Sequence, residues 1–178
     1  MRNYIKYILT STNEHGVHSP FVFKLVTECI YRKKTIQIAS TFKNSTSSLN
    51  KKYVLLIARL IPYLNIHKIL DLGKDSFFNE LASQHLKISK NTTVSETYDL
   101  IYTDVNFFQS NPDTFSHLFN HIHNDSLWIV AKNQTSKGLK GWEEIKQHDQ
   151  VKVTVDLFGL GLVFFRREQV KQHFIIRF

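Results

Sequence analysis

The sequence predicts an α/β protein: a mostly parallel sheet whose last strand is antiparallel, preceded by a helical extension. Three observations predict it. Short apolar runs such as Ile69-Leu70 and Leu100-Ile101-Tyr102 have the near-continuous hydrophobicity of strands covered on both faces. These runs alternate with segments of helical periodicity, as strands joined by crossovers do. The closing pair, Val151 to Leu157 and Gly161 to Phe165, has only a short glycine-containing loop between its members. No crossover helix fits there, so that pair must be antiparallel.

The elements follow in order. Residues 1–48 form the helical extension and a linker, and residues 49–178 form the α/β unit. Tyr4 to Leu9 predicts a short helix, broken by the Gly16 and Pro20 punctuation of His15-Gly16-Val17-His18-Ser19-Pro20. Ser19 is placed to cap a helix opening at Pro20 and running through Val22, Leu25 and Ile30. His15 and His18 then belong to a turn. Thr41 to Ser48 is polar and rich in Ser and Thr, as a connector is. A helix over Leu49 to Leu64 carries a broad apolar face, with Pro62 near its end. Ile69 to Leu72 is the first strand, and a helix-like segment, Ser76 to His85, follows it. Lys87 to Thr97 is polar. Tyr98 to Asp104 is the next core strand, Pro112 to His123 a helix, Ser126 to Ala131 a strand, and Gly141 to Gln147 a short helix. After the closing pair, His173 to Phe178 adds an extended piece.

Composition bounds the class. With 178 residues there is enough chain for a substantial core, and fourteen Phe and seven Tyr make that core aromatic. The single Cys29 excludes an internal disulfide and predicts a reducing, cytoplasmic setting. No apolar run approaches the roughly 20 residues of a membrane span. The net charge of +8 favours anionic partners, but Lys and Arg are scattered rather than clustered.

Chemistry is expected at the turn Asp71-Leu72-Gly73. At the carboxyl end of a strand, the next helix offers free N–H groups, and glycine lets a ligand approach the backbone. Only Gly73 is present, however; Asp75 and Phe77 stand where such loops keep small residues. His117, His121 and His123 include an i, i+4 pair, but no partner at metal-ligand spacing accompanies it, so a solvated helix face is expected. No Gly-x-Ser-x-Gly elbow and no phosphate-binding Gly-x-x-x-x-Gly-Lys is present.

Four stretches carry a family resemblance: HGVHSPFVF, KILDLG, YDLIYTD and VTVDLFGLGLVFFRREQVKQHFIIRF. Together they resemble small bacterial class I S-adenosylmethionine-dependent methyltransferases of catechol O-methyltransferase-like fold. The resemblance implies a Rossmann-like sheet and a cofactor, S-adenosylmethionine, at the end of the first strand. Asp71 and Gly73 match the acid and first glycine of the cofactor loop. Asp104 matches the acid after the fourth strand, near the transferred methyl group. No catalytic residue is singled out.

The chain departs from that pattern in three ways. Its cofactor loop reads Gly73-Lys74-Asp75-Ser76-Phe77-Phe78, which puts bulk where the cofactor needs volume. Ala131-Lys132-Asn133 stands where relatives keep acids for a divalent metal, so no metal is expected; Lys132 would repel a cation. Only one βαβ unit of about 30 residues fits between Leu72 and Tyr98, so strands two and three are expected to be missing. Glu96 is the one acid left in that linker for the ribose hydroxyls, and its place is open. The expectation is a truncated, degenerate methyltransferase-like protein with weak or no cofactor binding and a binding or structural role. An active small-molecule O-methyltransferase and a basic nucleic-acid-binding module are the alternatives. The shortened sheet would leave the first strand at an edge. Either Lys87 to Thr97 wraps that edge, with Thr92-Thr93-Val94 as a covering strand, or a homodimer forms through it.

Overall fold

Strands β1 (Lys68–Asp71), β2 (Lys87–Ser89), β3 (Leu100–Asp104), β4 (Leu127–Ala131), β5 (Val153–Asp156), β6 (Leu160–Phe164) and β7 (Gln172–Ile175) form one sheet, in the order β2-β1-β3-β4-β6-β5-β7. The computed structural model describes residues 4–32, 49–73, 77–81, 85–92, 96–104, 107, 117–132 and 135–178. The pairs β2-β1, β1-β3, β3-β4 and β5-β7 are parallel, whereas β6 runs antiparallel to both of its neighbours, β4 and β5. The architecture is therefore the expected Rossmann-like α/β one. The reversed strand is β6, and the extended piece after it becomes β7.

The helices form for local reasons the sequence displays. Helix α1 spans Tyr4–Thr10 and α2 spans Pro20–Leu25. The Ser19 hydroxyl accepts from the Val22 amide at 3.4 Å, with Pro20 at the first helical position. Beyond Leu25 the chain continues in a π-helical turn, Val26–Ile30. The Arg59 guanidinium donates to the carbonyls of Cys29 and Ile30, both at 3.1 Å, and so satisfies the end of that turn. Arg59 comes from α3 (Lys51–Tyr63), which Asn50 caps by accepting from the Lys52 amide. Helix α4 spans Phe78–Leu81, and α5 spans Ser136–Gln147. Helix α5 starts earlier than the expected Gly141 because Thr135 caps it, accepting from the Gly138 amide.

Alternation along the strands sorts the core into two layers. On one face Ile69, Leu100, Tyr102, Ile129, Val155 and Leu162 meet Val22, Leu25 and Ile30 and the α3 residues Tyr53, Leu56 and Ile57. On the other, Leu70, Ile101, Trp128, Val130 and Val163 meet Trp142 and Ile145 of α5. The N-terminal helices thus share an apolar layer with the sheet. At the far edge Thr12 bridges Ile176, extending the sheet beyond β7.

The first strand is not an edge. Strand β2 pairs with it in parallel, Lys68 to Lys87 through Leu70 to Ser89. One outer strand is therefore present where the sequence implied none. The wrapping comes from Lys87-Ile88-Ser89 rather than Thr92-Thr93-Val94; Thr92 is outside any strand, and residues 93–95 lie outside the described residues. A homodimer through the bare edge of β1 is excluded by this pairing, since β2 occupies that edge. The Thr41 to Ser48 connector and residues 112–116 of the expected Pro112 to His123 helix also lie outside the described residues. That helix ends in a 3-10 turn, Phe119–His121. No described helix is long and apolar enough to cross a membrane.

Candidate functional site at the carboxyl rim

Strands β1, β3, β4 and β5 end at one rim, which collects Asp71, Gly73, Asp104, Lys132 and Asp156. Asp71 is buried. One carboxylate oxygen accepts from the Gly73 amide at 3.1 Å, and the other takes the Lys90 ammonium at 2.5 Å. Lys90 arrives there by register: Leu70 faces Ser89 across the parallel pair, so the next residue of the outer strand reaches the rim beside Asp71. Lys90 stands where the fold implied by the resemblance has an acid for the cofactor ribose. An ammonium only donates, whereas that role needs an acceptor.

Glu96, whose place was open, lies at the opposite end. Its carboxylate meets Lys87 at 2.6 Å and Lys68 at 3.6 Å, at the starts of β2 and β1.

Gly73 answers a close approach, but not one by a ligand. A Cβ built on it would lie 2.4 and 2.8 Å from two ring carbons of Tyr102. Tyr102 faces Asp71 across the β1-β3 pair. Its buried ring packs edge-on to Phe77 and Phe78, with centroids 5.4 and 5.3 Å away, and the two phenyl rings stack at 4.5 Å. The Tyr102 ring thus packs against Gly73 in the turn where the resemblance places S-adenosylmethionine. With Lys90 on Asp71, the described residues do not fit that cofactor held in that way.

Asp104 lies two residues beyond Tyr102 on the same strand and the same face. It is half-buried and accepts from the Phe107 amide at 3.0 Å. Asp71 and Asp104 are thus brought to one face of adjacent strands, with Tyr102 between them in sequence and register.

Lys132, expected to stand beside Asp104 and repel a metal, turns to the other face. Its ammonium lies 2.6 Å from Asp156 and 4.6 Å from the centre of the Trp142 ring. Its backbone amide donates to the Gly159 carbonyl at 2.9 Å. Asp156 also accepts from the Phe158 amide, fixing the turn between β5 and β6, where Phe158 has a positive φ of 70°. Among the described residues no three His, Cys, Asp or Glu side chains are placed to hold a metal ion.

Of His117, His121 and His123, the last two have structural partners, and the expected solvated face is corrected for them. His121 is buried, and its Nδ1 bonds the Glu96 carbonyl at 2.8 Å. His123 Nε2 bonds Asp99 at 3.0 Å. The other oxygen of Asp99 accepts from the backbone amides of His67 and Lys68. Burial raises the Asp99 pKa, but the Lys68 and His67 amides and the His123 ring outweigh it and leave the group below its ordinary value. His15 sits in a turn, as expected, with its amide donating to Asn13.

Sequence reading missed Lys90, Tyr102 and Asp156. Only Asp156 carried a signal, being an acid that ends an apolar strand as Asp71 and Asp104 do. The fold defines a Rossmann-like class of α/β protein. No family model matches the chain, and no curated protein matches it.

Proposed function

We propose that this chain is a methyltransferase-like pseudoenzyme of the cytoplasm that binds S-adenosylmethionine weakly or not at all and works as a binding or structural protein. The observation that carries this reading is the Tyr102 ring packed against Gly73, where a Cβ would come within 2.4 Å of it. A turn kept glycine by an internal ring is used for packing. Lys90 on Asp71 supports the same reading, because it occupies the carboxylate the family uses for its cofactor.

Calorimetric titration with S-adenosylmethionine and S-adenosylhomocysteine tests it. The expected outcome is no saturable binding at micromolar concentrations. A micromolar dissociation constant that Gly73→Trp abolishes would overturn it.

A further inference from the structure

On the helical side of the sheet lies a concavity of about 500 Å³, bounded by the end of the π-helical turn, by α3 and by the C-terminal segment. Its floor is apolar, built from Ile30, Leu55 and Phe178. Four cationic side chains, Arg32, Lys52, Arg59 and Arg177, line it, with no Asp or Glu side chain among the described lining residues.

Two of the cations, Arg59 and Arg177, are held in place by neutral carbonyl oxygens. Arg59 donates to Cys29 and Ile30, and Arg177 to Ile8 at 3.1 Å, whereas Lys52 meets an oxygen of the last residue, Phe178, at 3.0 Å. A carbonyl orients a guanidinium without cancelling its charge, and each guanidinium has five N–H donors, more than these bonds use. Charge of one sign over a low-dielectric floor concentrates the field for an anion. The volume lies in the range of small-molecule sites, which are mostly apolar with a few fixed polar groups.

We propose that this concavity binds a small amphiphilic anion: one carboxylate or phosphate head on an apolar chain, taken up as a free molecule. The proposal goes beyond the reading of the cofactor turn and uses none of its residues, so titration with S-adenosylmethionine leaves it untouched.

The test is calorimetric titration of the whole chain with octyl phosphate, inorganic phosphate and octyltrimethylammonium. Octyl phosphate is expected to bind saturably, and each of the others about tenfold more weakly or not at all. Arg32→Glu, at an exposed residue, is expected to weaken octyl phosphate about tenfold with an unchanged melting temperature. Leu55→Asp, which puts a carboxylate on the floor, is expected to do the same. Equal binding of the cationic amphiphile, or unchanged affinity in folded Arg32→Glu, would overturn the proposal. So would retention on anionic phospholipid vesicles without binding of monomeric octyl phosphate.

Discussion

Two lysine–aspartate pairs stand at the same rim of the sheet and differ in their surroundings. Lys90 reaches Asp71 from solvent: its side chain is 46% exposed, over a carboxylate that is fully covered. Lys132 and Asp156 are both inside, at 2% and 6% exposure, with the ammonium over Trp142. The first pair closes the turn that ends β1; the second belongs to the packing between β4, β5 and α5. An exposed ammonium that loses its partner returns to water, but a buried charge that loses its partner has no such recourse. The same chemistry is therefore an adjustable contact in one half of the rim and a fixed part of the core in the other.

The largest expected effect follows from the buried pair. Lys132→Met should destabilise the fold by about 3–5 kcal/mol, because it leaves the Asp156 carboxylate buried and uncompensated. Urea denaturation measures this. Adding Asp156→Asn should recover most of the loss, since a neutral amide oxygen still accepts from the Phe158 amide. A single-variant cost below about 1 kcal/mol would place Asp156 in the same solvated class as an exposed pair and break the comparison.

Next in size is the packing beside the exposed pair. Gly73→Ala should cost about 1–3 kcal/mol, because its Cβ meets the Tyr102 ring. Tyr102→Leu removes the ring, so in that background Gly73→Ala should cost less than half as much. A double-mutant cycle measures the coupling, and strict additivity would show that the ring is not what keeps residue 73 a glycine.

How much of this was legible varies with the range of the cause. Ser19 and Pro20 start α2 by local chemistry, so the sequence displays them. The antiparallel turn from β5 to β6 follows from a loop too short for a crossover. Strand β2 was hidden because Lys87-Ile88-Ser89 has one apolar residue, and only pairing with β1 makes it a strand. Lys90 and Tyr102 were hidden for the same reason: each acts on a residue of β1 or its turn through register, across 19 and 29 positions of chain. His121 looked solvated because the helix period was visible, but the Glu96 carbonyl that receives it was not. Asp71 and Asp104 were legible as strand-ending acids, although their partners were not.

A third carboxylate sharpens the comparison from the other end of the strands. Asp99 is met by two backbone amides and His123 instead of a lysine. Its pKa in the fold is depressed, so its contribution is present above the unfolded value near 3.9 and is lost as pH falls through the folded value. Asp99→Asn should cost on the order of 1 kcal/mol at neutral pH, and the gap to wild type should narrow as pH falls below about 4. Stability measured against pH checks this; a gap constant through the acid range would refute it.

The smallest effect is expected at the exposed pair itself. Lys90→Met leaves the covered Asp71 carboxylate with the Gly73 amide as a donor, and the place of the half-exposed ammonium lies at the surface, where water can enter and solvate the carboxylate instead. With water in the place of the ammonium, the cost should be about 1 kcal/mol or less, the net worth of an exchanged hydrogen bond. Salt separates the two pairs further. At about 1 M the Debye length is near 3 Å, so the Lys90 contribution should be largely screened and the variant should approach wild-type stability. The Lys132→Met deficit should persist at the same salt, because ions do not enter the space between Lys132, Asp156 and Trp142. Parallel urea titrations of both variants at low and high salt check this. A Lys90→Met deficit that high salt leaves unchanged would mean that this pair also behaves as a buried one, and that the Asp71 turn is closed as firmly as the other half of the rim.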